Sequence, residues 1–481
     1  MKVYIVGGGP TGLFTAIVCT KLGIPCEVFE RSDRFGGHHN MNDRTMHAPR
    51  MLSWNAFRNM RYVLESIGYT PRFVAGGVKA DYFTDKCTVT DVSTMWYKVF
   101  VKFPFYQQVM FKTPLQEEIS CVSPECRAVL NQATAYIAAR SDDAPSCKMA
   151  AAASWKVIDS LKMRKGKIMA DDNRWWEHMV SWLEDHGVPL HKNTMLQSCE
   201  TDGKRVTSLG FKGRLVKMGP TDHVALCMDP QGFKKLLRTQ KSLVANWGHG
   251  AMKHLKHSMY HSIGFRVDLD GRLPPNKWFL STVTDWEIIM RPRRSGTQMD
   301  CVVCDLTKVS GHTKKSILVT PPEEFKTEVS RQLQKHLPCN VVNIEFHDDT
   351  WFAKGKWHNK HTAVAINAKY GFFPSQGRLQ NIHFVSPMTW RTYVITTVET
   401  CCEVAIRFVN RISSTEQFPL YEHGQYSLPY RAQVFLIPNT LLLLVIVATI
   451  CTIRKTTSIL ASNRGRFILP KEGGHLSRMA E

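Results

Sequence analysis

The chain opens with an apolar run, a glycine-rich turn, a second apolar run and a loop, all within residues 1–40. The run VYIV at 3–6 carries no charge, as expected for a strand buried on both faces of a parallel sheet. Apolar residues at helical spacing predict helices over 55–68 and 174–186, and Gly187 follows the second as a typical C-terminal glycine. These patterns predict alternating strands and helices, and therefore an α/β fold.

Short apolar runs bounded by turn residues predict further strands. They lie at 188–200, 204–211, 224–228 and 381–385. The first two are joined by Asp202-Gly203, a dipeptide typical of hairpin turns. Several strand-like runs between 262 and 307 predict a second, β-rich region, and a helix is expected over 393–411.

The turn after the first strand carries the clearest candidate chemistry. Gly7, Gly9 and Gly12 form G-x-G-x-x-G directly between a strand and a helix, and Glu30 ends the next strand. The first glycine permits a tight turn, the second lets the backbone approach a diphosphate, and the third lets helix and strand pack closely. The helix amino terminus then offers N–H groups and a positive dipole end to phosphates, while the acidic residue can accept hydrogen bonds from a ribose. The pattern predicts a dinucleotide site.

A second glycine pair, Gly36-Gly37, follows Glu30. With it, the opening resembles the FAD-binding segment of the FAD-dependent amine oxidase superfamily, which includes monoamine and polyamine oxidases, protoporphyrinogen oxidase and phytoene desaturase-like flavoproteins. The resemblance implies a Rossmann-like FAD-binding domain, a β-rich substrate domain and FAD bound without a covalent link. It also implies that the start of the last helix meets the flavin near Met388 and Thr389.

The same resemblance implies that both domains are discontinuous in sequence. The FAD-binding domain is expected to comprise 1–75, 187–235 and 375–415. The substrate domain is expected to comprise 76–186 and 236–374.

Two positions depart from the pattern of that superfamily. Ser32 and His38 stand where its members usually carry arginines, so the charge of a diphosphate would need another partner, such as Arg34 or Arg44. The last predicted helix also lacks the glycines that are usual there.

Three residues of the expected substrate domain are candidates for contact with the flavin or the substrate, judged by their positions in the sequence. The superfamily often places aromatic walls over the flavin, and Trp351 and Tyr370 are candidates for that role. The lysine that many amine oxidases carry beside the flavin has no clear counterpart here, and Phe265 or Arg266 lies at roughly that place. Aromatic residues at such positions are more often part of the core.

The resemblance implies a two-electron oxidation of a small organic substrate through flavin N5, the cofactor supplying the chemistry. Two alternatives stay open. One is a flavin-dependent nucleotide-sugar mutase or isomerase similar to UDP-galactopyranose mutase. The other is a non-catalytic membrane protein that retains the fold, because fold does not dictate function.

A charge-free stretch over 434–453 predicts a transmembrane helix, since about 20 residues span roughly 30 Å, the thickness of a bilayer. Pro438 weakens its first turn, so a buried or interfacial helix is the alternative. We expect a single-pass C-terminal membrane anchor with a cytosolic catalytic domain. The basic tail over 454–481 argues for the opposite orientation, because cytoplasmic flanks carry the excess of positive charge.

The net charge of the chain and the spacing of two cysteines indicate which kinds of ligand to expect. The chain has 62 Lys+Arg against 41 Asp+Glu, a net charge of +21, which favours anionic partners. With the dinucleotide motif, this surplus indicates a phosphate-bearing cofactor and a membrane surface rather than nucleic acid. Cys301 and Cys304 form a CxxC in a strand-like run, where their side chains would point to opposite faces, so no metal site is expected.

Overall fold

The structure is a computed structural model that describes most of the chain up to residue 422. The described residues are 1–39, 54, 57–73, 79–81, 120, 123–127, 174–248, 250–273, 277–280, 284–293, 295–360, 362–364, 366–367, 369–392, 396–414 and 416–422. The chain divides into two compact units, Met1–Tyr426 and Ser427–Glu481. The second unit lies outside the described residues.

The strands and helices of the first unit are numbered here in chain order. The strands are β1 (Val3–Val6), β2 (Cys26–Phe29), β3 (Lys79–Asp81), β4 (Leu190–His191), β5 (Leu196–Thr201), β6 (Val206–Phe211), β7 (Arg214–Lys217), β8 (His223–Leu226), β9 (Met259–Tyr260), β10 (Ile263–Leu269), β11 (Lys277–Leu280), β12 (Ile289–Pro292), β13 (Gln298–Val303), β14 (Val341–Phe346), β15 (Thr350–Ala353), β16 (Lys356–Asn359), β17 (Ala363–Val364) and β18 (Ile382–Phe384). The helices are α1 (Pro10–Lys21), α2 (Arg58–Ser66), α3 (Trp175–Asp185), α4 (Pro230–Thr239), α5 (Lys241–Trp247), α6 (Ala251–His257), α7 (Pro322–Gln334) and α8 (Val398–Ile412).

A five-stranded parallel sheet of order β18-β8-β1-β2-β4 forms the centre of the Rossmann-like part. All four residues of β1 are buried, as its charge-free sequence predicts. On one face the sheet packs against α1, α2, α3 and α8 through side chains such as Leu13, Val63, Leu183 and Phe408. The other face is covered by α4 and by the antiparallel sheet β5-β6-β7. Because the strands are parallel, their carboxyl ends lie along one edge of the sheet.

A six-stranded sheet of order β14-β10-β13-β12-β11-β3 forms the β-rich part. Its neighbouring strands are antiparallel apart from the parallel pair β3 and β11. The core on one face joins Phe265 of β10 to Phe325 of α7, with Trp286 and Trp357 beside them. The predicted α/β fold, with a Rossmann-like domain and a second β-rich domain, is therefore confirmed. The predicted domain limits stay a prediction.

The strand predicted over 188–200 is divided in the structure. Its first part, β4, pairs in parallel with β2, whereas its second part, β5, forms an antiparallel pair with β6. Between them Asn193 has a φ of 53°, a left-handed conformation that redirects the chain into a different sheet. The predicted turn at Asp202 is present, and its carboxylate accepts hydrogen bonds from the amides of Lys204 and Arg205 at 2.8 and 2.7 Å.

The structure corrects the prediction of a membrane protein with a single-pass C-terminal anchor. A membrane-crossing helix needs about 20 predominantly apolar residues. Among the described residues, no helix combines the length and the apolar character that a crossing requires. Even α8, with 15 residues, carries Glu399, Glu403 and Arg407 within its span. The segment 434–453, on which the prediction was placed, and the tail 454–481 lie outside the described residues.

Candidate cofactor site

The turn after β1 requires glycine at two positions for steric reasons. Gly7 has a φ of 112°, and a Cβ atom there would lie 2.4 Å from the carbonyl oxygen of Cys227 on the neighbouring strand end. A Cβ atom on Gly12 would lie 1.9 Å from the carbonyl oxygen of Gly7. Both distances are shorter than any real contact of a Cβ atom, so β1, α1 and β8 can approach this closely only with glycine in both places.

Helix α1 begins at this turn without a capping side chain. Its N-cap residue is Gly9, Pro10 occupies its first turn, and within the described part of the chain no side chain makes a cap hydrogen bond there. The first turn also contains no acidic residue. The N–H groups that the first turn of a helix leaves unpaired, and the positive end of the helix dipole, are therefore available to an anion.

The second glycine pair folds back over the first turn. The amide of Gly36 donates a 2.8 Å hydrogen bond to the carbonyl of Gly8, and Gly36 and Gly37 have φ values of 103° and 53°. A Cβ atom on Gly37 would lie 3.0 Å from the Cα of Gly9. Phe35 covers Gly8, where a Cβ atom would lie 2.3 Å from its ring. Backbone thus faces backbone between the two glycine segments.

Glu30 lies at the carboxyl end of β2, beside the turn, and is 7% exposed. One carboxylate oxygen, Oε2, accepts a 2.7 Å hydrogen bond from the amide of Gly8, and Oε1 accepts a 2.8 Å bond from the amide of Ser32. A carboxylate oxygen can accept a further hydrogen bond, so the side chain keeps capacity for a ribose diol. The predicted residues Gly7, Gly9, Gly12, Glu30, Gly36 and Gly37 are therefore brought together.

Met388 and Thr389 follow β18 at the same edge of the sheet, because β18 is parallel to β8. The Met388 side chain is fully buried in the core that also contains Phe384. The Thr389 hydroxyl donates a 2.8 Å hydrogen bond to the carbonyl of Ser386 in its own turn. Both residues lie at the predicted edge with their side chains engaged by protein, and their role toward a flavin stays a prediction.

The three substrate-side candidates lie on different elements. Trp351 is on the hairpin β15–β16, 47% exposed, with its ring 5.6 Å from that of His358. The Tyr370 ring stacks at 4.9 Å on His257 of α6. Arg266 of β10 forms ion pairs with Asp268 at 3.2 Å and with Glu345 at 2.5 Å. Each is held by its own neighbours, and a catalytic role for them stays a prediction.

Arg34, one candidate for balancing a diphosphate, has a side chain that is 59% exposed and lies 3.6 Å from the carboxylate of Asp33. Arg44, the other, lies outside the described residues. A cation that the sequence reasoning missed is Arg391, which is fully buried in the loop between β18 and α8 and donates a 2.9 Å hydrogen bond to the Thr396 hydroxyl.

Arg391 and Thr11 of helix α1 both interact with the thiol of Cys401. Removal from water raises the pKa of the Cys401 thiol to about 11, while a hydrogen bond with Thr11 and the charge of Arg391 act in the opposite direction. Thr11 belongs to the first turn of α1. The charge of Arg391 therefore acts on a thiol that interacts with the first turn of α1. No local motif marks this arginine in the sequence.

Glu399 is a second residue that sequence reasoning missed. Its carboxylate is fully buried and accepts hydrogen bonds from the amides of Asn59 and Met60, both at 2.8 Å, in the first turn of α2. It also accepts a 2.9 Å bond from the Asn59 side-chain amide. A residue of α8 thereby caps α2, which stabilises the helical layer behind the candidate site.

Residues 5–54 match the family model of the NAD(P)-binding Rossmann-like domain. A comparison of the whole sequence with curated proteins finds no match.

Solved structures similar to this chain include wild-type putrescine oxidase bound to putrescine, with a TM-score of 0.60 and 13% identity over 86% of this chain and 99% of the other. Cyclohexylamine oxidase from Brevibacterium oxydans IH-35A has a TM-score of 0.58 and 14% identity over 85% and 98%. A CLA-producing fatty acid isomerase from P. acnes has a TM-score of 0.56 and 12% identity over 85% and 98%. The predicted resemblance to the FAD-dependent amine oxidase superfamily is thus confirmed at the level of the fold.

Proposed function

We propose that the chain is an FAD-dependent oxidoreductase that carries out a two-electron oxidation of a small organic substrate and binds FAD without a covalent link. The observation that carries the proposal is the association of the Gly7–Gly12 turn with the buried carboxylate of Glu30. Two of the similar structures are a putrescine oxidase and a cyclohexylamine oxidase, which makes a small amine the first substrate class to test.

The residues around the turn fit a dinucleotide. Among the described residues, a Cβ atom at Gly9 would meet only the Cα of Gly37, at 3.8 Å, so no side chain covers the backbone there. The diphosphate would be held by the first-turn amides of α1, and the ribose by Glu30. The dipole of α1 and the buried charge of Arg391 would offset the negative charge of the diphosphate.

FAD, when bound, supplies the acceptor for two electrons. The chain itself would hold the cofactor, orient the substrate and exclude water. The loop at 386–389 contains no cysteine, so a covalent thioether from that loop is not expected. We therefore expect acid precipitation to release the flavin.

A second candidate function is flavin-dependent isomerisation without net oxidation. It is favoured by the similarity to a structure described as a fatty acid isomerase, which shows the same fold associated with an isomerase. The nucleotide-sugar mutase predicted from the sequence belongs to the same class of reaction. For that substrate, the basic surplus of the chain would suit a diphosphate group.

Activity measurements on the purified full chain separate these candidates. Small amines, among them putrescine and cyclohexylamine, are incubated in air and hydrogen peroxide is measured. Unsaturated fatty acids and UDP-galactopyranose are incubated under dithionite, and products are analysed for isomers. Amine-dependent peroxide supports oxidation, and isomer formation by the reduced protein supports the second candidate. A flavin-loaded protein inactive in both assays contradicts both, and protein that binds no flavin indicates a non-catalytic descendant.

A further inference from the structure

A cavity of about 320 Å³ lies beside the edge strand β18 and the turn that follows it, and is called here the edge cavity. It is bounded by β18, by the C-terminal half of α8 and by the segment after that helix. Its apolar wall includes Val404, Phe408 and Leu420, and its polar lining includes Ser375, His383 and Arg411. The volume is at the lower end of the range for small-molecule sites.

Two arginines, Arg407 and Arg411, line the edge cavity, and among the described residues only Arg407 forms ion pairs with carboxylates. The Nη1 atom of Arg411 donates a 2.8 Å hydrogen bond to the Ser375 hydroxyl, and among the described residues no carboxylate forms an ion pair with it. By contrast, Arg407 is paired with Glu403 at 3.0 Å and with Glu422 at 3.1 Å. A guanidinium carries five N–H donors in a fork that matches a carboxylate, so Arg411 can bind one while it holds Ser375.

His383 supplies a second unused polar group in the wall. It is only 2% exposed, and its Nε2 lies 3.2 Å from Nδ1 of His223 on the neighbouring strand. Its Nδ1 atom is buried and has no hydrogen-bond partner among the described residues. Burial, with the nearby His223 and Arg411, lowers the pKa of His383 to about 3, so the ring is neutral. The ring therefore adds no positive charge beside Arg411.

We propose that the edge cavity binds a small monocarboxylate with an apolar body, its carboxylate held by Arg411 and its apolar part packed against Phe408 and Leu420. One unpaired guanidinium matches a single negative charge. The apolar wall excludes a fully hydrated ion such as inorganic phosphate from most of the volume. Thr389, which is predicted to meet the flavin, also lies in the lining of the edge cavity. The test therefore has to distinguish binding beside Arg411 from binding at the cofactor.

The test uses the purified full chain with hexanoate as the probe and hexanamide as the matched neutral probe, both titrated by calorimetry. We expect saturable hexanoate binding and at least about tenfold weaker hexanamide binding, the value of a charge-assisted hydrogen bond. Arg411→Gln should weaken hexanoate by about tenfold or more on the same grounds. Leu420→Trp, at a partly buried position that packs against the core, should fill the cavity, and circular dichroism checks that the variant is folded. Arg378→Gln, which removes an exposed arginine that does not line the cavity, is the control and should bind as the wild type does.

Three results would overturn the proposal. The first is the absence of saturable hexanoate binding, whether or not inorganic phosphate binds in its place. The second is unchanged affinity in Arg411→Gln and Leu420→Trp. The third is hexanoate binding that alters the absorption spectrum of added FAD and is insensitive to both substitutions, which would locate the probe at the cofactor instead.

Discussion

Gly12 faces the carbonyl oxygen of Gly7 so closely that a Cβ atom at position 12 would lie 1.9 Å from that oxygen. Helix α1 therefore begins directly against the end of β1, with no room for a side chain between them. This contact places the amino terminus of α1 at the carboxyl edge of the sheet, beside Glu30. The geometry of the proposed cofactor site depends on it.

Gly12→Ala should separate α1 from β1 and destabilise the fold by about 1–3 kcal/mol, since the added methyl meets backbone that cannot move aside cheaply. FAD binding should fall with it. Urea denaturation and FAD titration measure the two effects. The control is Gly250→Ala, because Gly250 has a φ of −70° and nothing within 4 Å of its Cβ position. Equal stability of the two variants would contradict the packing argument.

Glu30→Gln should weaken FAD binding by about tenfold to a hundredfold while the protein stays folded. The amide that replaces one carboxylate oxygen cannot accept a hydrogen bond, so a backbone N–H and the ribose compete for the remaining acceptor. Fluorescence titration of FAD measures the change. Asp33→Asn, at an exposed carboxylate in the same loop, should bind FAD as the wild type does. If both variants bound FAD equally, Glu30 would have no part in the site.

Glu399→Gln should lower the free energy of unfolding by about 1–3 kcal/mol. The carboxylate accepts three hydrogen bonds from Asn59 and Met60, and a glutamine of the same size can accept through only one oxygen. Chemical denaturation monitored by circular dichroism gives the value. Glu416→Gln, at an exposed position, should stay within about 0.5 kcal/mol of the wild type. A loss no larger than that in Glu399→Gln would rule out the capping role.

The protein should lose stability as the pH is lowered, and His383 should account for part of that loss. Its pKa is about 3 in the folded chain and 6.5 ordinarily, because burial and the neighbouring His223 and Arg411 disfavour its charged form. Below about pH 6.5 the His383 ring takes up a proton in the unfolded chain but not in the folded chain. The free energy of unfolding therefore decreases as the pH falls from about 6.5 toward 3, by up to about 1.4 kcal/mol per pH unit.

His383→Gln removes this titration and should flatten the fall in unfolding free energy between about pH 6.5 and pH 4. Urea denaturation at several pH values measures the slope. The control is His186→Gln, which removes an exposed histidine and should keep the wild-type slope. An unchanged slope in His383→Gln would mean that this ring does not stay neutral in the fold.

The glycine turn, Glu30 and the Asp202 hairpin could be predicted because each depends on residues close in sequence, where turn geometry restricts the amino acids allowed. Glu399 could not be predicted, because its partner Asn59 is 340 positions away and capping across that distance leaves no local pattern. Arg391 could not be predicted either, because it is far from α1 in the sequence and no local motif marks it. The membrane prediction rested on 434–453, outside the described residues, and the helices that the structure does describe cannot cross a bilayer.

The central claim is that the turn at Gly7–Gly12 and the carboxylate of Glu30 hold FAD. Its most direct test is the visible absorption spectrum of the purified full chain, recorded after incubation with FAD and removal of unbound flavin, and again on the supernatant after acid precipitation. The account predicts a flavin spectrum on the protein and its transfer to the supernatant. A colourless protein that takes up no added FAD would contradict it.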